Sequence, residues 1–413
     1  TISDLTINDT KSSGNGGGAC IRITGALTLD GTNTITRTEA AGNGGGLYVS
    51  NSSTQPTTIT GLTITTAKAT GSYSQGGGAY ISVAGAFSLA GTNTITETEA
   101  ASNGGGLYVY NSSTQATAIS GLTIDTAKAT GSGSSGGGAY ISLNNSGLNL
   151  QATTIFGTES YYGGGLYILQ GLTGSAEISG LIITNAKAGG YYGGMYYYGG
   201  NSLKITNSAF NNCRADNHSG AFYLSANSVR IENTPFINCY AYANLKIGLI
   251  QSNYISLSGC DFTNNGNLAS YGAYESTYLM EILRLGPLTS ADNGSALIEN
   301  CTFNQLENNW KNGGSLQTGA CITTSDSGGT FPLTVRNTEF NFKPGVRLCA
   351  IQAYRGFYLD GVRFKNFNTN CHMVVGMNTN TYSCTIRNNC GIENCNPTGG
   401  YKLVYPENIP LVG

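Results

Sequence analysis

The sequence predicts an all-β fold: a single right-handed parallel β-helix of roughly 12–14 rungs, with three short strands per rung. Two observations support this prediction. A Gly-Gly-Gly triplet recurs at intervals of about 28 to 32 residues, and each triplet precedes a stretch in which apolar and polar residues alternate as in a β-strand. The triplets lie at 16–18, 44–46, 76–78, 104–106, 136–138 and 163–165. This period is typical of stacked repeat units rather than of one globular core.

The repeat is strongest in the first third of the chain. Residues 16–75 and 76–135 align without a gap and are identical at about 44 of 60 positions. Each block holds two half-repeats, and each half-repeat contains about three short alternating stretches divided by Gly, Asn or Ser turns. We therefore expect one half-repeat to form one rung, with the glycines at corners that exclude side chains and with some of them at positive φ.

The period continues in another form after the glycine-rich part. Phe210, Phe236 and Phe262 are 26 residues apart and are predicted to replace isoleucine as the inward residue of one strand. We expect three segments: a regular Gly/Thr-rich helix over 1–200, diverged cysteine-containing rungs with loop insertions over 201–370, and a cysteine-rich cap with an extended tail over 371–413. At about 4.8 Å per rung the rod would be some 60–70 Å long.

Composition excludes several classes of function. Only 10% of the 413 residues are charged and the formal net charge is −2, so nucleic acid and acidic membranes are not expected as partners. No apolar stretch approaches the roughly 18 residues that a membrane helix needs. The chain begins in mid-repeat, because TISDLTI aligns with TITGLTI at 58–64, and we therefore expect a processed or excerpted product.

Cysteines and glycosylation sequons favour an extracellular or cell-surface location. Ten of the eleven cysteines lie at or after Cys213, and such enrichment without metal-site spacing is typical of an oxidising compartment. Seven Asn-x-Ser/Thr sequons predict possible N-glycosylation, at Asn8, Asn51, Asn111, Asn144, Asn217, Asn293 and Asn300.

Some of these cysteines are candidates for disulfide bonds. Cys213 and Cys239 occupy equivalent positions on adjacent rungs, near enough for a disulfide, and Cys321 with Cys349 is a second candidate that lies one place out of register. A third group is predicted to pin the C-terminal cap: Cys384, Cys390 and Cys395. The spacing leaves the connectivity open.

Two outward columns of side chains follow from the strand register, since successive side chains alternate between the two faces of a strand. The first is aromatic and is a possible interaction surface: Tyr48, Tyr80, Tyr108, Tyr140, Tyr167, Tyr196 and Phe222. The second alternates in charge and is predicted to be a structural ladder: Lys11, Glu39, Lys68, Glu99, Lys128, Glu159, Lys187 and Arg214.

Short motifs resemble those of a known family. GGAC at 17–20 and GGAY at 77–80 and 137–140, with the variants GGLY and GGMY, are similar to the Gly-Gly-Ala-apolar signature of polymorphic outer-membrane-protein repeats, and FTNN at 262–265 to their Phe-x-x-Asn signature. The resemblance spans most of 1–370. It implies a β-helical surface passenger that acts in adhesion or display and has no catalytic residues, although this chain has no recognisable C-terminal membrane barrel.

The sequence predicts no catalytic site, metal site or cofactor. Enzymes with β-helical folds need clustered acids with Arg, Lys or His beside them, and here the acids of neighbouring rungs alternate with lysines. The best catalytic candidate is Arg214, Asp216, Asn217 and His218, within five residues. His372 is expected to pack in the last turns rather than to bind metal.

We therefore expect a non-catalytic extracellular structural protein that assembles head to tail with copies of itself into a filament. One alternative is an adhesin that binds glycans through the tyrosine column, and another is a polysaccharide lyase or hydrolase. Ice binding is a further alternative, because Thr34/Thr36 and Thr94/Thr96 form matching Thr-x-Thr rungs, but the half-repeat between them offers no clear equivalent.

Overall fold

The glycine triplets mark chain corners, and the backbone shows why three glycines are needed. Gly76 adopts a φ of +66°, a left-handed conformation that L side chains rarely adopt. A Cβ on Gly77 would lie 2.2 Å from the carbonyl oxygen of Gly105 in the next coil, and one on Gly78 would lie 2.5 Å from the Cγ2 atom of Ile95 in the core. The three positions therefore provide the turn, the close approach of two backbones, and the space for an inward isoleucine.

A computed structural model of the chain describes residues 1–241, 246–265, 281–289, 292–305, 319–325, 330–342, 348–367, 373–376, 384–387, 389–396, 404–405 and 411–412. These residues contain strands, turns and bends and no helix. The strands are parallel and stack as a β-solenoid of about 12 turns, so the predicted fold class is confirmed.

The chain divides into two compact units. Unit 1 comprises Thr1–Ala209 with Cys213–Asp216, and unit 2 comprises Phe210–Asn212 with Asn217–Gly413. In each unit a first sheet collects one strand per coil, and a second sheet collects the remaining short strands. The strand Ala209–Asn211 has residues in both units.

In unit 1 the first sheet contains Ala19–Ile23, Leu47–Asn51, Ala79–Val83, Leu107–Asn111, Ala139–Leu143, Leu166–Gln170 and Met195–Gly199. The second sheet contains Ile2–Ser3, Thr6–Asn8, Lys11–Ser12, Leu27–Asp30, Asn33–Ala40, Thr57–Thr60, Leu62–Ala69, Phe87–Ala90, Asn93–Thr96, Glu99–Ala100, Thr117–Ser120, Leu122–Asp125, Lys128–Ala129, Leu148–Phe156, Glu159–Tyr162, Ser175–Thr184, Lys187–Tyr191, Ser202–Thr206 and Arg214–Ala215.

In unit 2 the first sheet contains Phe222–Ser225, Lys246–Gln251, Glu281–Gly286, Gly319–Thr324, Leu348–Ala353, Val374–Gly376 and Val404–Tyr405. The second sheet contains Ser228–Glu232, Pro235–Ile237, Tyr240–Ala241, Tyr254–Ser258, Asp261–Thr263, Ser295–Glu299, Thr302–Gln305, Leu333–Arg336, Glu339–Phe342, Phe357–Asp360, Arg363–Lys365, Cys384–Arg387, Gly391–Glu393 and Leu411–Val412.

Each core is built from columns of one residue type. In unit 1 an isoleucine column is fully buried and in register from coil to coil: Ile35, Ile64, Ile95, Ile124, Ile155 and Ile183. In unit 2 a phenylalanine column takes this role, with ring centroids 4.8–5.5 Å apart: Phe210, Phe236, Phe262, Phe303, Phe340 and Phe364. The predicted inward positions of Phe210, Phe236 and Phe262 are thus confirmed.

Candidate functional site

The tyrosines of unit 1 form a continuous stack along the first sheet. They lie at one position of successive strands, because the register pairs Tyr80 with Tyr48 on one side and with Tyr108 on the other. Centroids of neighbouring rings are 4.3–5.2 Å apart, with interplanar angles of 3–15°. The members of this tyrosine column are Tyr48, Tyr80, Tyr108, Tyr140, Tyr167 and Tyr196.

The stacking decides what the tyrosine column can offer to a partner. Each interior ring covers the faces of its two neighbours, so the column presents ring edges and hydroxyl groups rather than open ring faces. Burial raises the pKa of Tyr140 to about 12 and also raises the pKa of Tyr80, Tyr108 and Tyr167. These hydroxyls are therefore neutral near pH 7.

Phe222 does not belong to this column, and its predicted outward position is wrong. Its side chain is 1% exposed, while Tyr223 is half-buried and its hydroxyl hydrogen-bonds with Gln251 Oε1. In Phe222–Ser225, as in Ala79–Val83, the first residue of the strand faces inward and the second outward. Phe222 thus corresponds to Ala79 rather than to Tyr80. The pattern of aromatic residues alone does not reveal this correspondence.

Another group of tyrosines, which the repeat pattern did not predict, lies at the corner beside the column. Tyr162 stacks on Tyr191 at 5.5 Å, and Tyr161 meets Tyr162 edge-on at 4.7 Å. Tyr192 contacts Tyr196 at 4.9 Å and so joins this group to the tyrosine column. The signal was present in the adjacent pairs YY at 161–162 and 191–192, one repeat apart.

The charged column forms ion pairs between adjacent coils. Lys11 pairs with Glu39 at 2.9 Å, and Lys68 pairs with Glu99 at 3.4 Å. Glu159 pairs with two lysines, Lys128 at 3.7 Å and Lys187 at 2.8 Å. Arg214 lies opposite Lys187 in the strand register, so it continues the column but the predicted alternation of charge ends at Lys187.

Glu159 is the most strongly held acid of this column. The hydrogen bond from Lys187 lowers the pKa of the Glu159 carboxyl, and the charges of Lys187, Lys128 and Arg214 add to this effect against partial desolvation. Opposite charges on adjacent strands stabilise the sheet, although pairs as exposed as these contribute at most about 1 kcal/mol each.

Two of the predicted glycosylation sites are enclosed in turns. Asn111 is fully buried, and its Nδ2 donates to the Gly85 carbonyl at 3.1 Å and to Thr117 Oγ1 at 3.0 Å. Asn51 makes the equivalent bonds to Gly25 and Thr57. A glycan on either nitrogen would break these bonds, so the folded structure does not favour Asn51 or Asn111 as an acceptor. Of the others, Asn217 is half-buried, and the exposed ones are Asn8, Asn144, Asn293 and Asn300.

The predicted disulfide staples are not formed among the described cysteines. The Cys213 sulfur lies 3.6 Å from the Ile183 carbonyl oxygen, and the Cys239 sulfur lies 3.5 Å from that of Phe210. The register places Cys349 opposite Ala320, so Cys321 and Cys349 are one position out of register with each other.

The cysteines of the predicted cap are not bridged to one another either. Desolvation raises the pKa of each thiol there, in Cys384, Cys390 and Cys395.

The residues of the catalytic candidate are divided between the units. Arg214 and Asp216 belong to unit 1, with Asp216 exposed, whereas Asn217 and His218 belong to unit 2. Desolvation, with a smaller contribution from Lys246, lowers the pKa of His218. His372 lies outside the described residues. Across the ranges that the structure describes, no three His, Cys, Asp or Glu side chains are grouped as a metal site requires.

A charged cluster in unit 2 was not predicted. Glu281 is only 5% exposed, and its carboxylate lies 3.9 Å from Lys246 Nζ and 3.3 Å from Arg284 Nη1. The register pairs Lys246 with Glu281 although 35 residues separate them, because an insertion lengthens this coil. Because this spacing differs from the regular period, the repeat pattern does not predict the pairing of Lys246 with Glu281.

The threonine rungs are more continuous than expected. Thr63 lies opposite both Thr34 and Thr94, and Thr65 lies opposite Thr96, so the half-repeat between the two matching rungs does provide an equivalent. Asp125 interrupts the array at the next coil.

The described part of the chain has no helix long and apolar enough to cross a membrane. Comparisons of the chain with protein-family models, with curated proteins and with solved structures give no match.

Proposed function

We propose that this chain is a non-catalytic extracellular structural protein, a subunit that assembles end to end into a surface fibre. The observation that carries the proposal is the near-identity of successive coil interfaces in unit 1. Gly44 N–H donates to the Gln75 carbonyl at 2.9 Å, Gly76 N–H to that of Asn103 at 3.0 Å, and Gly104 N–H to that of Ser135 at 2.9 Å.

Successive coils of unit 1 therefore contact one another in nearly the same way. Each coil both donates and accepts backbone hydrogen bonds at its contact with each neighbouring coil, and similar sets of bonds recur at successive contacts. Its isoleucine, tyrosine and charged residues meet their like or their complement in the next coil. The backbone part of this pattern can continue into a terminal coil of a second copy of the chain. A head-to-tail contact of this kind repeats without closing and produces an open filament.

In an assembly of the 413-residue chain, the end-to-end contact would involve the first coil. Ala19–Ile23 pairs with Leu47–Asn51 on one side. Ile7 and Ile21 are partly exposed, whereas Ile35 and Val49, their equivalents in the next coil, are fully buried. Burial of these apolar side chains by another copy is favourable by about 25 cal/mol per Å² of apolar surface.

Two variants test the proposal. We expect the purified chain to form fibres at increasing concentration in negative-stain electron microscopy and to sediment as growing species in ultracentrifugation. Ile21→Lys would place a charge in the end-to-end contact and should block growth. Ile182→Lys places the same charge on the lateral surface, where Ile182 is 42% exposed, and should leave fibres intact.

The contrary results are equally definite. A purified chain that remains monomeric at high concentration contradicts the proposal. Fibres that form equally well with Ile21→Lys and disappear with Ile182→Lys would mean that lateral association, rather than end-to-end stacking, drives assembly.

Glycan binding by the tyrosine column is the second candidate, and it is favoured by the partial exposure of its ring edges and hydroxyl groups. Replacement of Tyr80, Tyr108 and Tyr140 by serine should then abolish binding to a glycan array. Because neighbouring rings cover one another's faces, we rank this function below assembly.

Polysaccharide cleavage has less support. The acids of the charged column are ion-paired to lysines of adjacent coils, which leaves them held in their charged form by structural partners. A sugar-release assay with and without Ca²⁺ tests this alternative directly, and steady release of sugar would contradict the non-catalytic proposal.

A further inference from the structure

Cys260 and Cys301 lie side by side in adjacent coils of unit 2. Each immediately precedes a strand, and these strands pair with Asp261 opposite Thr302 and with Phe262 opposite Phe303. Both cysteines are 1% exposed. Cα atoms at matched positions of neighbouring strands are about 4.8 Å apart, which lies within the range of roughly 4.4–6.8 Å that a disulfide permits.

The two thiols interact with each other. Their side-chain interaction lowers the pKa of Cys260 and raises that of Cys301. The Cys260 side chain is therefore the better nucleophile of the two, since the thiolate is the reactive form.

The turn itself does not require cysteine at either place. Thr234 and Thr338 occupy the same position in the coils on either side, and each hydroxyl donates to the carbonyl two residues earlier, at 2.9 Å and 2.8 Å. The sulfurs of Cys260 and Cys301 lie 3.6 Å and 3.2 Å from the corresponding carbonyl oxygens. Threonine can thus make the hydrogen bond of this turn as well as cysteine does. Cysteines in two adjacent coils add the capacity for a covalent bond between the coils.

We propose that Cys260 and Cys301 are a disulfide-forming pair that joins two adjacent coils of unit 2, with a small-molecule or protein disulfide as the oxidant. The Cys260 thiolate attacks one sulfur of the oxidant, which forms a mixed disulfide and releases one thiol. The Cys301 sulfur then attacks Cys260, closes the bond between the coils and releases the second thiol. Two electrons pass to the oxidant, and the two thiol protons end on the released thiols.

The bond would close a long segment of chain. Between the two cysteines lie the strands Asp261–Thr263, Glu281–Gly286 and Ser295–Glu299 together with the insertion of this coil. A cross-link around such a segment restricts the unfolded chain more than the folded one and therefore stabilises the coil.

The test uses the full chain treated with oxidised and reduced glutathione. After alkylation in denaturant, peptide mapping of the oxidised protein should reveal a linked Cys260–Cys301 peptide. The melting temperature of the oxidised protein should exceed that of the reduced protein by on the order of 5 °C. Cys260→Thr and Cys301→Thr should each abolish this difference, whereas Cys20→Ser, at an exposed cysteine, should retain it.

Quantitative alkylation of both Cys260 and Cys301 after oxidation would overturn the proposal. So would a difference in melting temperature that persists in both threonine variants. The threonine variants should match the reduced parent chain in their circular dichroism spectra, and the peptide map of the parent chain decides the question even where a variant does not fold.

Discussion

Lys187 Nζ lies 2.8 Å from Glu159 Oε1, and the two residues are directly opposite each other in adjacent strands. The other carboxylate oxygen of Glu159 lies 3.7 Å from Lys128 on the opposite side. One acid therefore links three successive coils of unit 1, and protonation of this acid would weaken two coil contacts at once.

The stability of unit 1 should fall in acid partly through Glu159. Because its folded-state pKa is lowered, its contribution is fully present above the ordinary value of 4.5 and is lost as the pH falls through the folded value. Thermal unfolding followed by circular dichroism between pH 7 and pH 3 should therefore show a smaller acid-induced loss in Glu159→Gln. Glu97→Gln, at an exposed acid that accepts a hydrogen bond from Thr66, is the control. Equal pH profiles for the two variants would contradict this assignment.

Removal of one interior ring should destabilise the tyrosine column. Tyr108 stacks on Tyr80 at 4.8 Å and on Tyr140 at 5.0 Å, so Tyr108→Ser removes two aromatic contacts and should lower the free energy of unfolding by about 1–3 kcal/mol. Guanidinium unfolding measures this loss. Tyr73→Ser, at a side chain that is 88% exposed, should change stability by less than about 0.5 kcal/mol. Similar losses in both variants would mean that the stack is not a source of stability.

Ionisation of the buried tyrosines of the column should lower the stability of unit 1 at alkaline pH. Burial raises the pKa of Tyr140 to about 12, so its contribution is fully present below the ordinary value of 10 and is lost as the pH rises towards 12. Absorbance at 295 nm should detect fewer phenolates in the folded chain at pH 11 than in the guanidinium-unfolded chain. Tyr140→Phe should reduce this difference in the number of phenolates. Identical titrations of folded and unfolded protein would refute the expectation.

Asn111 should act as a turn residue rather than as a glycan acceptor. Its Oδ1 accepts from Ser113 N–H at 2.9 Å, while its Nδ2 donates inward, so Asn111→Ala leaves buried partners unsatisfied and should cost about 1–3 kcal/mol. Asn144→Ala, at an exposed sequon, should cost much less. Glycopeptide mapping after expression in a glycosylating host should find Asn111 unmodified, and a glycan on Asn111 in folded protein would contradict the prediction.

The regular part of the fold was predictable because successive repeats of the sequence can be aligned with one another. Once Ile64, Ile124 and Ile183 were placed in one column, strand alternation fixed the outward position of Tyr80 and Tyr108. The prediction was wrong where the first inward residue of the strand was misplaced, because strand alternation then assigns every side chain to the wrong face. Phe222 follows Gly and Ala as Tyr80 does, but it is the first residue of its strand, whereas Tyr80 is the second. The Phe222 side chain therefore lies in the core.

By itself, the sequence determined the solenoid class, the coil period, the tyrosine column and the alternation of charge, since all four depend on spacing along the chain. The tertiary structure alone decided which polar groups are enclosed and which distant residues meet. Asn51 is buried where its Nδ2 donates to the Gly25 carbonyl of the preceding coil. Cys260 lies beside Cys301 because the register of adjacent coils, rather than separation in sequence, sets which residues are neighbours.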